Sequence, residues 1–312
     1  SIYGYGKPQQ LFIQNMPHLG LSETSTVSNW VTDSAAGMTA IMTGEKTHNG
    51  VVSQASNAVR GKKDGAPLKS ILEYAEERGL SSGVVSNSPI SDATPAACYA
   101  HSNDRNKHGY IFAQILEPRF GDGVDVVIGP GRKVILKQTQ ELNVNLEEGL
   151  KARGYAFIDN PQLLQEVASQ RNRIVALYES EDFDLGDTVN NAIDILKRNP
   201  KGFFLMVESN NHFSDAEKSL SRLVAMDKVV RETSERMKNT DTMILFTADH
   251  SYDLRIPLAP KVQDIIPHVV IDGHHTAEEV LVAAQGPGAE KVKGFFPNTH
   301  LFRIMMEAYR WQ

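Results

Sequence analysis

Six short apolar runs, set between amphipathic stretches of helical period, constrain this 312-residue chain more than any other feature. They are Ser82–Val85, Val124–Ile128, Arg173–Tyr178, Phe203–Val207, Met243–Thr247 and Val280–Ala284. Runs so short, and rich in branched and aromatic residues, suit strands buried on both faces. Helical patterns at Leu68–Arg78, Leu146–Arg153, Asp187–Lys197, Asp215–Lys238 and His300–Tyr309 alternate with them. Alternation of this kind predicts a mostly parallel central sheet with helices on both faces, a three-layer α/β/α fold. With 41% hydrophobic residues the chain can bury a large core. No repeat, low-complexity tract or linker interrupts it, so residues 1–312 read as a single domain.

Charge and composition narrow the function classes. The net charge is −6 and the basic residues are scattered, which leaves no electrostatic footprint for nucleic acid. The densest basic cluster, Arg60-Gly61-Lys62-Lys63, is closed at once by Asp64 and reads as a solvated turn. No apolar stretch reaches membrane-spanning length. The single cysteine, Cys98, cannot form an internal disulfide and reads as a small buried hydrophobe.

The chemistry gathers in a few places. Asp33-Ser34 precedes small, helix-compatible residues up to Gly44, which places Ser34 at a helix N-terminus where backbone N–H groups favour an anion. The plainer reading of that pair is an N-cap. A serine hydroxyl is a weak nucleophile and needs a base or a metal to activate it. Near the other end, the strand-like Met243–Phe246 runs into Thr247-Ala248-Asp249-His250, and Gly273-His274-His275-Thr276 stands ahead of Val280–Ala284. The run Phe203–Val207 ends in Glu208, with His212 four residues later. Imidazole mixed with carboxylate is a ligand set that zinc accepts.

In this order the motifs resemble the alkaline phosphatase family. Val31-Thr32-Asp33-Ser34-Ala35-Ala36 is similar to its nucleophile motif, which makes Ser34 the residue that becomes phosphorylated. Asp92-Ala93-Thr94-Pro95-Ala96-Ala97, followed by Ala100-His101 and Arg105, resembles the block in which Thr94 ligates magnesium and Arg105 clamps phosphate. Glu208 resembles the family's magnesium glutamate. Asp249 and His250 resemble ligands of the zinc that activates the serine, His275 resembles a ligand of the other zinc, and His212 falls on a zinc histidine of the family. Asp33 then orients Arg105, and Asp92 either contacts metal-bound waters or caps a helix. The C-terminal Gln285-Gly286-Pro287-Gly288-Ala289 and Asn298 are also similar to the family's. His101 reads as a core histidine, and His48 as part of a turn.

The resemblance implies hydrolysis of phosphate monoesters through a phosphoserine, two zinc ions and one magnesium ion, a homodimer, and a periplasmic or extracellular location. Two departures concern carboxylates. The family's opening strand leads to a metal-bridging Asp in Gly-Asp-Gly, whereas the chain begins Ser1-Ile2-Tyr3-Gly4-Tyr5-Gly6. Gly121-Asp122-Gly123 has those letters at the wrong place and reads as a turn. Between Glu208 and His212 the family's Asp-x-x-x-His segment is shortened, and its Asp is missing. These departures leave three readings open: a part of a longer enzyme chain, an engineered or natural truncation, or a catalytically impaired phosphate-binding homologue with an incomplete metal site. A diesterase or sulfatase of the same superfamily fits the Asp-Ser-Ala block and Arg105 less well.

Overall fold

The structure is a computed structural model and describes residues 11–256 and 268–311. The opening Ser1–Gly6 lies outside the described residues. Strands run in chain order as β1 His18–Glu23, β2 Ser81–Ser86, β3 Val126–Pro130, β4 Ala156–Ile158, β5 Ile174–Tyr178, β6 Phe203–Glu208, β7 Ile244–Phe246, β8 Ser251–Tyr252, β9 His275–Thr276, β10 Val280–Gln285 and β11 Gly294–Pro297. The helices are α1 Ser34–Thr43, α2 Ile71–Glu77, α3 Ala93–Tyr99, α4 His108–Ala113, α5 Arg132–Glu141, α6 Leu146–Ala152, α7 Leu164–Gln170, α8 Leu185–Leu196, α9 Ala216–Met237 and α10 Thr299–Ala308. Chain contacts divide these elements into two compact units. One comprises Thr26–Asn29 and Asp33–Glu208; the other takes the chain up to Ser25, Trp30–Thr32, and everything from Ser209 on.

The Asp33–Glu208 unit is built on a five-stranded sheet in the order β4-β5-β3-β2-β6, with every ladder parallel. Its inner strands β3 and β5 are buried at every position because helices cover both faces. This is the three-layer α/β/α arrangement expected from the alternating pattern. Gly83 in β2 permits the close packing, since a Cβ there would lie 2.8 Å from Leu196 of α8 and 3.1 Å from Leu205 of β6. Parallel pairing puts the ends of neighbouring strands at one edge, and the last register pair of β2 and β6 is Ser86 with Glu208. Ligand sites of open α/β sheets form at that carboxyl edge. The Gly121–Gly123 stretch is a turn, as expected. Both glycines have positive φ, and the Asp122 carbonyl accepts bonds from Arg153 and Arg173.

The second unit carries a four-stranded sheet in the order β11-β1-β10-β7. Here β1 pairs parallel with β11, while the β1/β10 and β10/β7 ladders are antiparallel. Leu11, Ile13 and Met16 pack with Val230 of α9 and Ala283 of β10, backed by Leu223, Met226, Ile244 and Phe246. Asp227, buried on α9, fastens this layer: its carboxylate accepts the N–H groups of Phe12 and Ile13, both at 2.9 Å. A separate two-residue ladder joins β8 to β9, setting Tyr252 opposite His275.

Candidate active site

Ser34 is the first residue of α1 and is almost wholly buried. The local sequence explains the helix start. Asp33 has extended backbone and its Oδ1 accepts the Ala36 N–H at 3.0 Å, satisfying one of the orphan donors of the first turn. Small residues Ala35, Ala36 and Gly37 then let the helix sit deep in the fold, and Gly44 ends it in the left-handed conformation. Asp33 is therefore the cap, and it does more besides. Its Oδ2 accepts the Gly50 N–H at 2.8 Å and the Arg105 guanidinium at 3.1 Å.

Arg105 reaches across to a second carboxylate, donating to Asp92 Oδ1 at 2.9 Å. Burial works against the charge of this guanidinium, but Asp92 and then Asp33 outweigh it and hold Arg105 above its ordinary value. Asp92 stands at the N-cap position of α3 without making a side-chain capping bond, so of its two expected roles the helix cap is not what the side chain does. The arrangement fixes a planar, permanently charged fork by two carboxylates, one of which also caps the helix that Ser34 begins. Such a fork binds two oxygens of a tetrahedral anion, which a lysine cannot do.

Glu208 ends β6, and its Oε2 accepts a short hydrogen bond from Ser86 Oγ of the neighbouring strand. Cys98, on the same helix as Thr94, is buried, and its thiol is pushed up by that burial and by the charges of Glu208 and Glu73. Its Sγ lies 3.8 Å from the Thr94 carbonyl, one turn back. A hydroxyl and a carboxylate are the oxygen ligands that magnesium takes.

In the other unit the three histidines singled out from the sequence come together. Ligand nitrogens of His212, His250 and His275 all lie within 4.8 Å of one another, the one such group among the described residues. His250 is buried and His212 exposed. Nδ1 of His275 lies 2.8 Å from the Thr32 carbonyl, and Nδ1 of His250 lies 3.1 Å from that of Ser251. A carbonyl only accepts, so both rings carry their proton on Nδ1 and present the lone pair on Nε2. That is the tautomer a metal-binding histidine needs. Asp249 Oδ2 stands 3.6 Å from His250 Nε2. The donor set and its tautomers therefore fit zinc. Sequence reasoning missed Tyr252, whose ring stacks on His212 at 4.5 Å and 10°. It also missed Ser86. The signal for Tyr252 is its place two residues after His250; nothing local marks Ser86.

Comparison with known proteins agrees with this reading of the motifs. The chain is 30% identical to alkaline phosphatase 4 of Bacillus subtilis over 77% of its own length and 53% of that protein, so it spans about half of this relative. It is 26% identical to the human tissue-nonspecific alkaline phosphatase isozyme, with 98% of this chain and 69% of that one covered. The alkaline phosphatase of the Antarctic bacterium TAB5 superposes with a TM-score of 0.84 at 22% identity, covering 99% of this chain and 92% of that one. The enzyme of Thermus thermophilus gives 0.83 at 21%, covering 96% and 84%. Those two likenesses show the fold. The family model for alkaline phosphatase matches residues 4–259, and the chain belongs to that family.

Proposed function

We propose that residues 1–312 act as one alkaline-phosphatase-like domain that hydrolyses phosphate monoesters, transferring the phosphoryl group first to Ser34 and then to water. The observation that carries this reading is the double use of Asp33, which caps α1 at Ser34 and orients the Arg105 fork. Arg105 holds two non-bridging phosphate oxygens while the Ser34 oxygen attacks phosphorus and the P–O bond to the leaving group breaks, the serine proton ending, through solvent, on the expelled alcohol. Water then attacks the phosphoserine and releases inorganic phosphate. Two displacements retain configuration at phosphorus. The transition state is loose, so positioning and neutralisation of charge contribute most.

His212, His250, His275 and Asp249 would hold zinc, with Ser34 as a further oxygen ligand; Thr94 and Glu208 would hold magnesium, with Asp92 behind its waters. When bound, these ions supply Lewis-acid charge that lowers the proton affinity of a hydroxyl or water and balances negative oxygen. The rings of His250 and His275 lie nearly parallel, 18° apart with centroids 3.6 Å apart, so a single ion cannot lie in both ring planes. This supports separate ions for the two rings, each of which would supply Lewis-acid charge at the site. A mutant of the TAB5 enzyme is described with magnesium bound in its M3 site, which supports the third ion. A homodimer and a periplasmic or extracellular location belong to this reading.

The test is Ser34→Ala, which should lower p-nitrophenyl phosphate hydrolysis by about 10³-fold or more, since it removes the attacking atom. Unchanged turnover would refute the assignment. A second reading, a phosphate-binding relative without turnover, is favoured by the Ser209-Asn210-Asn211 segment, which supplies no carboxylate ahead of His212. Phosphate binding with no stoichiometric zinc and no turnover would select it.

A further inference from the structure

One buried histidine, just after α3, is not used by the proposed chemistry. His101 is 3% exposed, and both of its ring nitrogens face acceptors. Nδ1 lies 2.7 Å from the Ser53 carbonyl and Nε2 lies 2.8 Å from Glu73 Oε1. The carbonyl only accepts, so Nδ1 is the donor to Ser53. Glu73 cannot swing away, because its Oε2 takes the Ser70 N–H at 2.8 Å in the capping box of α2.

The residue held at the other side of this ring is unusual. Ser53 is fully buried with φ 42°, the left-handed region that a serine rarely adopts and that persists only where the surroundings over-determine it. Its N–H donates to Thr39 Oγ1 of α1 at 2.8 Å and its hydroxyl to the Ala97 carbonyl of α3 at 2.7 Å. From Ser53 a short backbone ladder runs back along the chain. Val52 and Ser102 exchange two bonds of 2.8 and 2.9 Å, and the Arg105 N–H donates to the Gly50 carbonyl at 2.9 Å. The Gly50 N–H then ends on Asp33 Oδ2, the atom that also receives the Arg105 guanidinium.

We propose that His101 is a positioning residue: by donating from Nδ1 to Ser53 it holds the strained end of the Gly50–Ser53 ladder, and so sets the place of Arg105. The ladder is fastened at one end by Asp33 and at the other by this ring together with the Leu68 N–H, which donates to the same Ser53 carbonyl at 2.9 Å. Without the Nδ1 donor, Ser53 relaxes out of its left-handed conformation and the backbone supporting Arg105 shifts. Misplacement by about 1 Å can cost about 10²-fold in rate. The link to turnover rests on the phosphate-holding role proposed for Arg105; the clamp itself does not.

Two variants separate the ring's two bonds. In His101→Asn the amide nitrogen falls where Nδ1 was and keeps the bond to Ser53. In His101→Gln it falls where Nε2 was and keeps the bond to Glu73. Both are assayed in the full chain at a temperature where each is folded. Amide exchange at Gly50 and Arg105 should stay within about threefold of the parent in His101→Asn and rise about tenfold or more in His101→Gln. KM for p-nitrophenyl phosphate and the inhibition constant of inorganic phosphate should rise together in His101→Gln alone. Equal exchange in the two variants, or the reverse order, overturns the proposal. If His101→Gln does not fold, adding Ser53→Gly should rescue folding, because glycine adopts the left-handed conformation without strain; no rescue also overturns it. A parent that neither binds phosphate nor turns over substrate, with exchange behaving as stated, would sink the phosphatase reading and leave the clamp standing.

Discussion

Glu76→Gln should flatten the dependence of stability on pH. Glu76 ends its side chain inside the five-stranded unit, 5% exposed, with Ser82 Oγ 2.6 Å from one oxygen and the Gly123 N–H donating to the other at 2.8 Å. Burial pushes its carboxyl from 4.5 up to about 8, opposed by those two hydrogen bonds and aided by the charges of Asp122 and Asp125. The folded carboxyl thus keeps its proton well above the pH at which the unfolded chain loses it. A group of this kind leaves stability intact below the unfolded value and removes it as pH rises towards the folded value. Each pH unit in that window is worth about 1.4 kcal/mol, so pH 5 to pH 8 removes on the order of 4 kcal/mol. Glutamine stays neutral and matches the protonated shape, with its carbonyl taking the Gly123 N–H and its amide donating to Ser82 Oγ. Urea denaturation at pH 5, 6.5 and 8 should show parent and variant close together at pH 5 and the variant ahead by a few kcal/mol at pH 8. Parallel curves would refute the reasoning.

Two other substitutions read single features of the fold. Asp33→Ala should lower stability by about 2–4 kcal/mol in denaturant titration, from the lost helix cap and the Gly50 N–H left without its acceptor. Asp227→Ala leaves the Phe12 and Ile13 N–H groups unmatched and should cost about 2–4 kcal/mol, with early loss of protection in the Leu11–Met16 stretch by hydrogen exchange.

Much of the fold was legible because burial on both faces writes a continuous apolar run. Each of the six runs read from the sequence became a strand, with ends moved by a residue or two. The elements that went unread have physical reasons. In β1 the large residues Leu19 and Leu21 point outward, while Gly20 and Ser22 face inward. Gly20 is small because Phe296 lies 2.9 Å from where its Cβ would be, so the usual alternation is inverted. Helix α5 buries only Ile135 and Thr139, too narrow a stripe to stand out. At the site, Asp33 and Ser34 before a helix, and His212, His250 and His275 beside apolar runs, could be picked out from local pattern, whereas Arg105 was reached only through the family resemblance. The Ser86–Glu208 contact and the Tyr252–His212 stack could not, since they depend on strand register and on loops folding back.

Under the proposed function, the triple engagement of Asp33 draws durability and turnover from the same atoms. A laboratory search for hardier variants will find that position closed, because any replacement that firms up the helix start must also match the amide of Gly50 and the guanidinium beside it. Gains in heat tolerance should therefore accumulate in the outlying helices, and reshaping of substrate preference in the loops that neighbour Arg105.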